Sequence, residues 1–159
     1  MNDHNHDLDE LQMELLSFEG RGYHCSQILL LMALRQTGGE RNDDLIRAMG
    51  GLSLGLGHSN GTCGALLGGA CLLGYYAGKG ADGETEHPAF RLMVRRLAEW
   101  FRDYACAGES TLCGDILDKH GRGRCGALVR SVWIKSMELL MENGIDPADA
   151  PPAFDHSVI

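Results

Sequence analysis

The segment CSQILLLMALRQ, residues 25–36, is apolar on nearly every side when it is wound at helical spacing. Such a helix has to be buried all round, because any face turned towards water would expose leucine, isoleucine or methionine. The glycine-containing turns RGYH before it and TGGE after it indicate where the helix begins and ends. The segment therefore predicts a central helix around which the rest of the chain packs.

The remaining segments also follow helical spacing, and none shows the period-two alternation of a half-buried strand. Further helices are predicted at residues 8–18 with Asp7 as N-cap, 43–50 with Asn42 as N-cap, 62–78, 88–105, a short helix through Cys113 that Ser110 would cap, and 125–142. The prediction is an all-α, single-domain bundle of about six or seven helices over residues 1–145. The tail, residues 146–159, contains proline and is expected to be flexible or packed on a neighbour.

A glycine-rich stretch, GGLSLGLGHSNG at residues 50–61, precedes the helix predicted at 62–78. Glycines remove the side chains that a strand would pack, so we expect a flexible loop that lets another backbone approach closely. The stretch has no GxxxxGK[ST] lysine and follows no strand. Nucleotide binding is therefore not expected.

Net charge limits the partners. The chain carries 14 basic and 22 acidic residues, a formal charge of −8, which argues against nucleic acid and against an anionic membrane surface. The N-terminal MNDHNHDLDE lacks the basic and apolar regions of a secretory signal, and the longest apolar stretch, residues 65–77, is too short to span a bilayer. We expect a cytoplasmic protein. In a reducing compartment its six cysteines favour metal binding, redox catalysis or burial over structural disulfides.

Four cysteines share one kind of position, at or near the predicted start of a helix. They are Cys25, Cys63, Cys113 and Cys125. Unpaired N–H groups and the positive end of the helix dipole should lower a thiol pKa there, making the thiolate available as nucleophile or metal ligand. Cys71 lies too far along the Cys63 helix to share its site, and Cys106 follows a helix end; both are expected to be structural.

The spacing of these four cysteines excludes several common sites. Their separations along the chain are 38, 50 and 12 residues, so no two form a CxxC pair. Structural zinc sites normally take their ligands in close pairs, and thioredoxin-like sites need CxxC in a βαβ setting. CxxCH is absent too, so no haem is expected.

The helix-opening Cys25, the CGALLG of residues 63–68, and the later Cys113 and Cys125 resemble the C-GCAxxG-C-C family of redox-active proteins, over roughly residues 22–133. The resemblance implies an all-helical fold and a redox role. A related cysteine-bearing helical domain occurs in the split-Soret cytochromes, where it accompanies haem and a suggested iron–sulfur centre. Only the cysteine part of that analogy applies to this chain.

Three functions follow from these observations. The leading hypothesis is electron transfer by an iron–sulfur cluster, or another metal, held by Cys25, Cys63, Cys113 and Cys125. The alternatives are a thiol–disulfide oxidoreductase using the same cysteines in pairs and a non-catalytic helical interaction protein. Gly64, Gly68 and His58 are the further residues expected at a cofactor. The partner would be an unidentified redox protein, and a homodimer with the cluster between subunits is compatible with the sequence.

Overall fold

The described part of the chain folds into helices, which confirms the predicted all-α class. The computed structural model describes the backbone of residues 3–149 and Pro151, and side chains from residue 9 onward. Its helical segments are α1 (Asp3–Gly20), α2 (Cys25–Gln36), α3 (Asp43–Met49), α4 (Leu54–His58), α5 (Gly64–Ala77), α6 (Phe90–Trp100), α7 (Cys113–His120) and α8 (Gly123–Glu142). Among these residues only a single bridge, Thr62 to Leu112, has strand-like pairing. None of the helices in the described range is long and apolar enough to cross a membrane.

Helix α2 lies at the centre, as its all-round apolar character predicts. Seven consecutive residues, from Ile28 to Leu34, are all at most 6% exposed. Helix α5 crosses it closely at Gly68, where a Cβ atom would lie 2.7 Å from the Cα of Ser26. On the other side of α5, a Cβ at Gly69 would lie 2.4 Å from Val132 of α8. The two glycines let α5 pack between α2 and α8 at distances that no other residue permits.

The glycine-rich stretch differs from the flexible loop expected for it. After a 3₁₀ turn at Gly50–Leu52, residues 54–58 all have positive φ, between 56° and 68°, and form α4 as a left-handed helical turn. A left-handed conformation costs roughly 1–2 kcal/mol for each non-glycine residue. Hydrogen bonds hold the turn in place: Gly57 N–H donates to Ser53 O at 3.1 Å, and Gly61 N–H donates to Gly55 O at 2.9 Å. This ordered turn accounts for a helix count above the predicted six or seven.

Helix boundaries agree with the sequence patterns except at two N-termini. Helix α1 begins at Asp3, so Asp7 lies within it and does not cap it. Ser110 precedes α7 by three residues, and the side chain of Asn60, from the glycine-rich stretch, accepts from the Gly114 N–H at 2.7 Å instead. The predicted cap at Asn42 is confirmed, since its side chain accepts from Leu45 N–H at 2.9 Å.

Helix α6 has the predicted amphipathic pattern and continues as a π-helical segment, Phe101–Ala105. On its apolar side Met93, Leu97 and Phe101 are fully buried, and on the opposite side Arg91, Arg95 and Arg102 are exposed.

The first residues of the predicted tail pack on the bundle. Pro147 is buried, and its carbonyl accepts a hydrogen bond of 2.9 Å from the Tyr76 hydroxyl of α5. The rest of the tail, Ala150 and residues 152–159, lies outside the described residues.

Candidate functional site

The four cysteines singled out in the sequence line one pocket of about 250 Å³. Each comes from the N-terminal end of a different helix: Cys25 from α2, Cys63 from the residue before α5, Cys113 from α7 and Cys125 from α8. We call this space the four-cysteine pocket. Its remaining walls are Glu19, Tyr23, His24, Ile28, Leu54, Gly64, Ala65, Leu117, Arg122 and Val129. Segments far apart in sequence therefore bring four sulfurs to a single place.

Cys25 is fixed by the start of α2 and by the absence of a side chain at Gly64. A Cβ atom at Gly64 would lie 2.5 Å from the Cys25 sulfur, so only glycine leaves room for it there. The backbone N–H groups of Leu54 and Ser26 donate to the sulfur. At the same helix end, the Gln27 side chain accepts from His24 N–H at 3.1 Å and donates to Ile46 O at 3.1 Å. These bonds tie the start of α2 to the end of α3.

Cys63 is the N-cap of α5 and is 7% exposed. Its backbone N–H donates to Thr111 O at 2.8 Å, which joins the start of α5 to the segment before α7. Its sulfur accepts from the backbone N–H groups of Ala65 and Leu66 in the first turn. These are the donors that a helix N-terminus leaves without an intrahelical partner.

Cys113 is positioned by the left-handed turn. Its N–H donates to Gly61 O at 2.9 Å, and a Cβ atom at Gly55 would lie 2.6 Å from the Cys113 Cβ. Asn60 adds a second attachment through Gly114 N–H, and its amide also donates to Asp115 at 3.1 Å. The glycine-rich stretch thus places α7, and with it Cys113, against the pocket.

Cys125 lies in the first turn of α8 and is half-buried. Burial raises the pKa of the Cys125 thiol, and of the two charged groups near it Arg122 opposes this rise while Glu19 adds to it. Arg122 also opposes the rise in the pKa of Cys113 that burial causes. One basic side chain at the pocket therefore acts on two of the four sulfurs.

The net effect on the thiols is opposite to the one expected from the sequence. Burial is the largest influence on all four cysteines and raises the pKa of each, that of Cys63 to about 12. Donated N–H bonds lower the pKa values of Cys25 and Cys63 but do not offset the loss of water. Neighbouring sulfurs add to the rise, since Cys25 and Cys113 each raise the pKa values of Cys63 and Cys125. In the metal-free chain these four groups are neutral thiols at pH 7.

Of the three other residues expected at a cofactor, only one lines the four-cysteine pocket. Gly64 lines the four-cysteine pocket, whereas Gly68 lies at the crossing of α5 with α2. His58 is exposed on α4 and does not line the pocket. His24 does line it. Among the described side chains, no group of three or more His, Cys, Asp or Glu is arranged to hold a single metal ion.

Cys71 and Cys106 lie apart from this pocket. Cys71 is half-buried against the core, and burial raises its pKa. Cys106 lines a second cavity, of about 370 Å³, on another side of α7 with Lys119, His120 and Arg124. The sequence separated these two cysteines from the other four because neither begins a helix.

Ser53, Asn60 and Arg122 are the residues near the sulfurs that sequence reasoning missed. Asn60 and Ser53 fall in the glycine-rich stretch, where the left-handed turn determines what they reach. Arg122 carries a recognisable signal, since it lies three residues before Cys125 at a helix start. The positions of Ser53 and Asn60 near the sulfurs could be recognised only from the structure of the left-handed turn.

Comparison with known proteins gives one finding. A family model described as "Putative redox-active protein (C_GCAxxG_C_C)" matches residues 23–139, which include all four pocket cysteines. The resemblance noted in the sequence is thereby confirmed. No curated protein and no solved structure matches the chain.

Proposed function

This chain belongs to the C_GCAxxG_C_C family of redox-active proteins, and from that premise we propose that it is an electron-transfer module whose four-cysteine pocket holds an iron–sulfur cluster. The ligands would be Cys25, Cys63, Cys113 and Cys125. Cys₄ ligation is the ordinary arrangement for such clusters, and the bound cluster supplies reversible electron transfer. The observation that carries the proposal is the convergence of these four sulfurs, from four helix N-termini, on one pocket.

The donor set fits a cluster better than a single ion. The pocket encloses about 250 Å³ between the cysteines, and the described side chains include no three ligands close enough together for one metal ion. A cluster carries its own sulfide and iron atoms between the thiolates, so it needs four cysteines around a space. A single zinc ion needs all four sulfurs close enough together to coordinate one atom.

The thiol pKa values also favour a ligand role over free thiol chemistry. Reactive cysteines need thiolate character and access, and the buried Cys63, with its pKa raised to about 12, has neither. Metal coordination removes the thiol proton outright, so a raised pKa does not prevent ligation. Backbone N–H groups at Cys25 and Cys63 would then donate to charged sulfurs, which is the state they stabilise most.

The chain's own residues would tune the site. Apolar walls from Ile28, Leu54 and Val129 keep water away from the sulfurs, and Arg122 supplies positive charge beside Cys113 and Cys125. Burial of negative charge is costly in such surroundings, and the arginine offsets part of that cost. Both features act on the reduction potential of a bound cluster.

The test is anaerobic reconstitution of the full chain with ferrous iron and sulfide, followed by visible absorption and by iron and sulfide analysis. A chain with Cys71→Ala and Cys106→Ala is the matched control, because it keeps the four pocket cysteines and removes the two others. We expect both proteins to be coloured, with equal iron and sulfide. A colourless, iron-free protein after careful reconstitution would refute the proposal.

One observation supports the thiol–disulfide alternative: Cys113 is half-exposed, and although burial raises the pKa of its thiol, Arg122 opposes that rise. In that function two pocket thiols would give two electrons and two protons to a disulfide-containing partner and form one disulfide. Counting free thiols before and after treatment with a mild disulfide oxidant distinguishes the two. If the pocket thiols of the metal-free chain remain free, this alternative fails.

A further inference from the structure

The second cavity, which Cys106 lines, has the composition of a small-molecule site. Its volume of about 370 Å³ is within the range of such sites. Ile116 and Leu128 form its buried apolar walls, at 6% and 2% exposure. Its other walls carry the exposed charged residues Glu109, Asp115, Lys119, His120 and Arg124. This combination suits a ligand that is apolar over most of its length and charged at one end.

The two carboxylates at this cavity already have partners. Asp115 accepts hydrogen bonds from Ser110 Oγ and from the Asn60 amide. One oxygen of Glu109 forms an ion pair with Lys119, and its other oxygen lies 3.7 Å from His120 Nε2. Two basic side chains therefore share the Glu109 carboxylate.

Arg124 is the third basic side chain at the cavity, and it has no acidic partner. Its Nη2 donates to the carbonyl oxygen of Ala105 at 2.8 Å, and it forms no ion pair within the part of the chain that the structure describes. This bond uses one of the five donors of the guanidinium. A guanidinium binds a carboxylate through two parallel N–H donors. Arg124 is thus the cation at this cavity that is left to bind an anion.

Cys106 can report on what enters the cavity. Burial raises the pKa of the Cys106 thiol, Arg124 opposes that rise, and Glu109 adds to it, so both charges act at this sulfur. At Cys71 burial alone raises the pKa of the thiol. The same chain therefore contains one thiol beside charged groups and one reference thiol without them.

We propose that this cavity binds a small aliphatic carboxylic acid in its ionised form, with the carboxylate on Arg124 and the hydrocarbon chain against Ile116 and Leu128. Glu109 opposes the binding, because its carboxylate places negative charge at the same cavity. The site does not depend on the proposed function, since none of the four pocket cysteines lines it.

The first test compares alkylation by iodoacetate, which carries a carboxylate, with alkylation by the neutral iodoacetamide. The ratio of the two rates at one thiol is independent of how much of that thiol is ionised. Mass spectrometry of the metal-free full chain follows Cys106 in tryptic peptide 103–119 and Cys71 in peptide 48–79, with fragmentation to distinguish the second cysteine in each. We expect the ratio to be about tenfold higher at Cys106, the effect of one charge-assisted interaction. Equal ratios would overturn the proposal.

Three variants locate the effect. Arg124→Gln should lower the ratio at Cys106 to that at Cys71, and Glu109→Gln should raise it. Arg122→Gln is the matched control, because it removes the same charge two residues away, from a side chain that lines the four-cysteine pocket instead. It should leave the ratio at Cys106 unchanged. An equal fall in R122Q and R124Q, or no fall in R124Q, would overturn the assignment to Arg124.

The second test is protection of Cys106 from iodoacetamide by an added ligand. Hexanoate should slow the labelling of Cys106 to a saturating limit and leave Cys71 unaffected, and acetate should need a higher concentration because it has no chain to cover the apolar walls. Equal protection by the neutral hexanamide would show that the carboxylate plays no part. Equal protection by inorganic phosphate would show a general anion site. Either result would overturn the proposal.

Discussion

The two copies of Cys-Gly-Ala-Leu, at residues 63–66 and 125–128, have the same sequence but different surroundings. In the first copy a Cβ at Gly64 would lie 2.5 Å from the Cys25 sulfur and 3.0 Å from Leu52 O. In the second, a Cβ at Gly126 would meet only a Glu19 carboxylate oxygen, at 3.4 Å, which is an ordinary contact. The same four residues form a closely packed wall of the pocket in one place and an open one in the other.

The flanking residues explain this difference. Gly68 and Gly69 follow the first copy and allow α2 and α8 to approach α5, whereas Arg130 and Ser131 occupy the corresponding positions after the second. Ala65 is consequently buried, and its counterpart Ala127 is exposed. A four-residue motif presents a cysteine at a helix start, and the residues around it determine how tightly that cysteine is enclosed.

The two copies should differ most in the change of unfolding free energy that follows when the glycine of each is replaced by alanine. Gly64→Ala forces a Cβ against the Cys25 sulfur and the backbone of residues 52 and 53, so we expect a loss of about 3 kcal/mol in the free energy of unfolding. Gly126→Ala has room and should raise helix propensity, giving up to about 1 kcal/mol of added stability. Urea denaturation of the metal-free chains measures both. Equal losses would show that the two copies are packed alike.

The next largest difference should appear at alkaline pH, in the stability that the cysteine of each copy, Cys63 or Cys125, contributes. Burial raises the pKa of Cys63 to about 12, so the folded state keeps this proton after the unfolded state has lost it. The resulting stability is fully present below the unfolded pKa of about 8.5. It is lost at about 1.4 kcal/mol per pH unit as pH rises towards 12.

The comparison that isolates this contribution is the unfolding free energy of the wild-type chain against Cys63→Ala, measured from pH 8 to pH 10. The free energy of unfolding of the wild type should exceed that of Cys63→Ala by roughly 2 kcal/mol less at pH 10 than at pH 8. The same comparison with Cys125→Ala should narrow less, because Cys125 is only half-buried. A constant difference for Cys63→Ala would show that this thiol titrates as it does in water.

The smallest difference in stability should come from replacing a residue that precedes each copy, Asn60 before the first and Arg124 before the second. Asn60 accepts from Gly114 N–H, so Asn60→Ala should cost about 1 kcal/mol, as the loss of a helix cap does. Arg124 is exposed and donates to Ala105 O, and Arg124→Ala should change the free energy of unfolding by no more than about 0.5 kcal/mol. Thermal unfolding measures both losses of stability. A larger loss for Arg124→Ala than for Asn60→Ala would show that Asn60 does not stabilise α7 as a cap.

The sequence was sufficient to predict the described helices other than α4 and to select the four cysteines that line the pocket. Apolar periodicity places α2 at the centre because nothing else can bury CSQILLLMALRQ, and helix-start positions distinguish Cys25, Cys63, Cys113 and Cys125 from the other two. The tight crossing at Gly68 and Gly69 was also predictable, since paired glycines in an apolar helix indicate close approach.

The sequence could not predict how the glycine-rich stretch folds. Its left-handed turn depends on hydrogen bonds between Ser53, Gly55, Gly57 and Gly61, and these pairings leave no periodic pattern. Asn60 as a cap for α7 follows from that turn alone. Thiol pKa values were predicted in the wrong direction because helix N-termini can be recognised in a sequence, whereas the extent of burial depends on tertiary packing.

The central claim is that both copies contribute one ligand to the same cluster. The most direct measurement is the iron content and visible spectrum of reconstituted Cys63→Ala and Cys125→Ala, beside the chain that lacks Cys71 and Cys106. Both single variants should bind less iron than this control and show an altered spectrum, because each removes one of four sulfurs. Full iron and an unchanged spectrum in Cys125→Ala would contradict the claim.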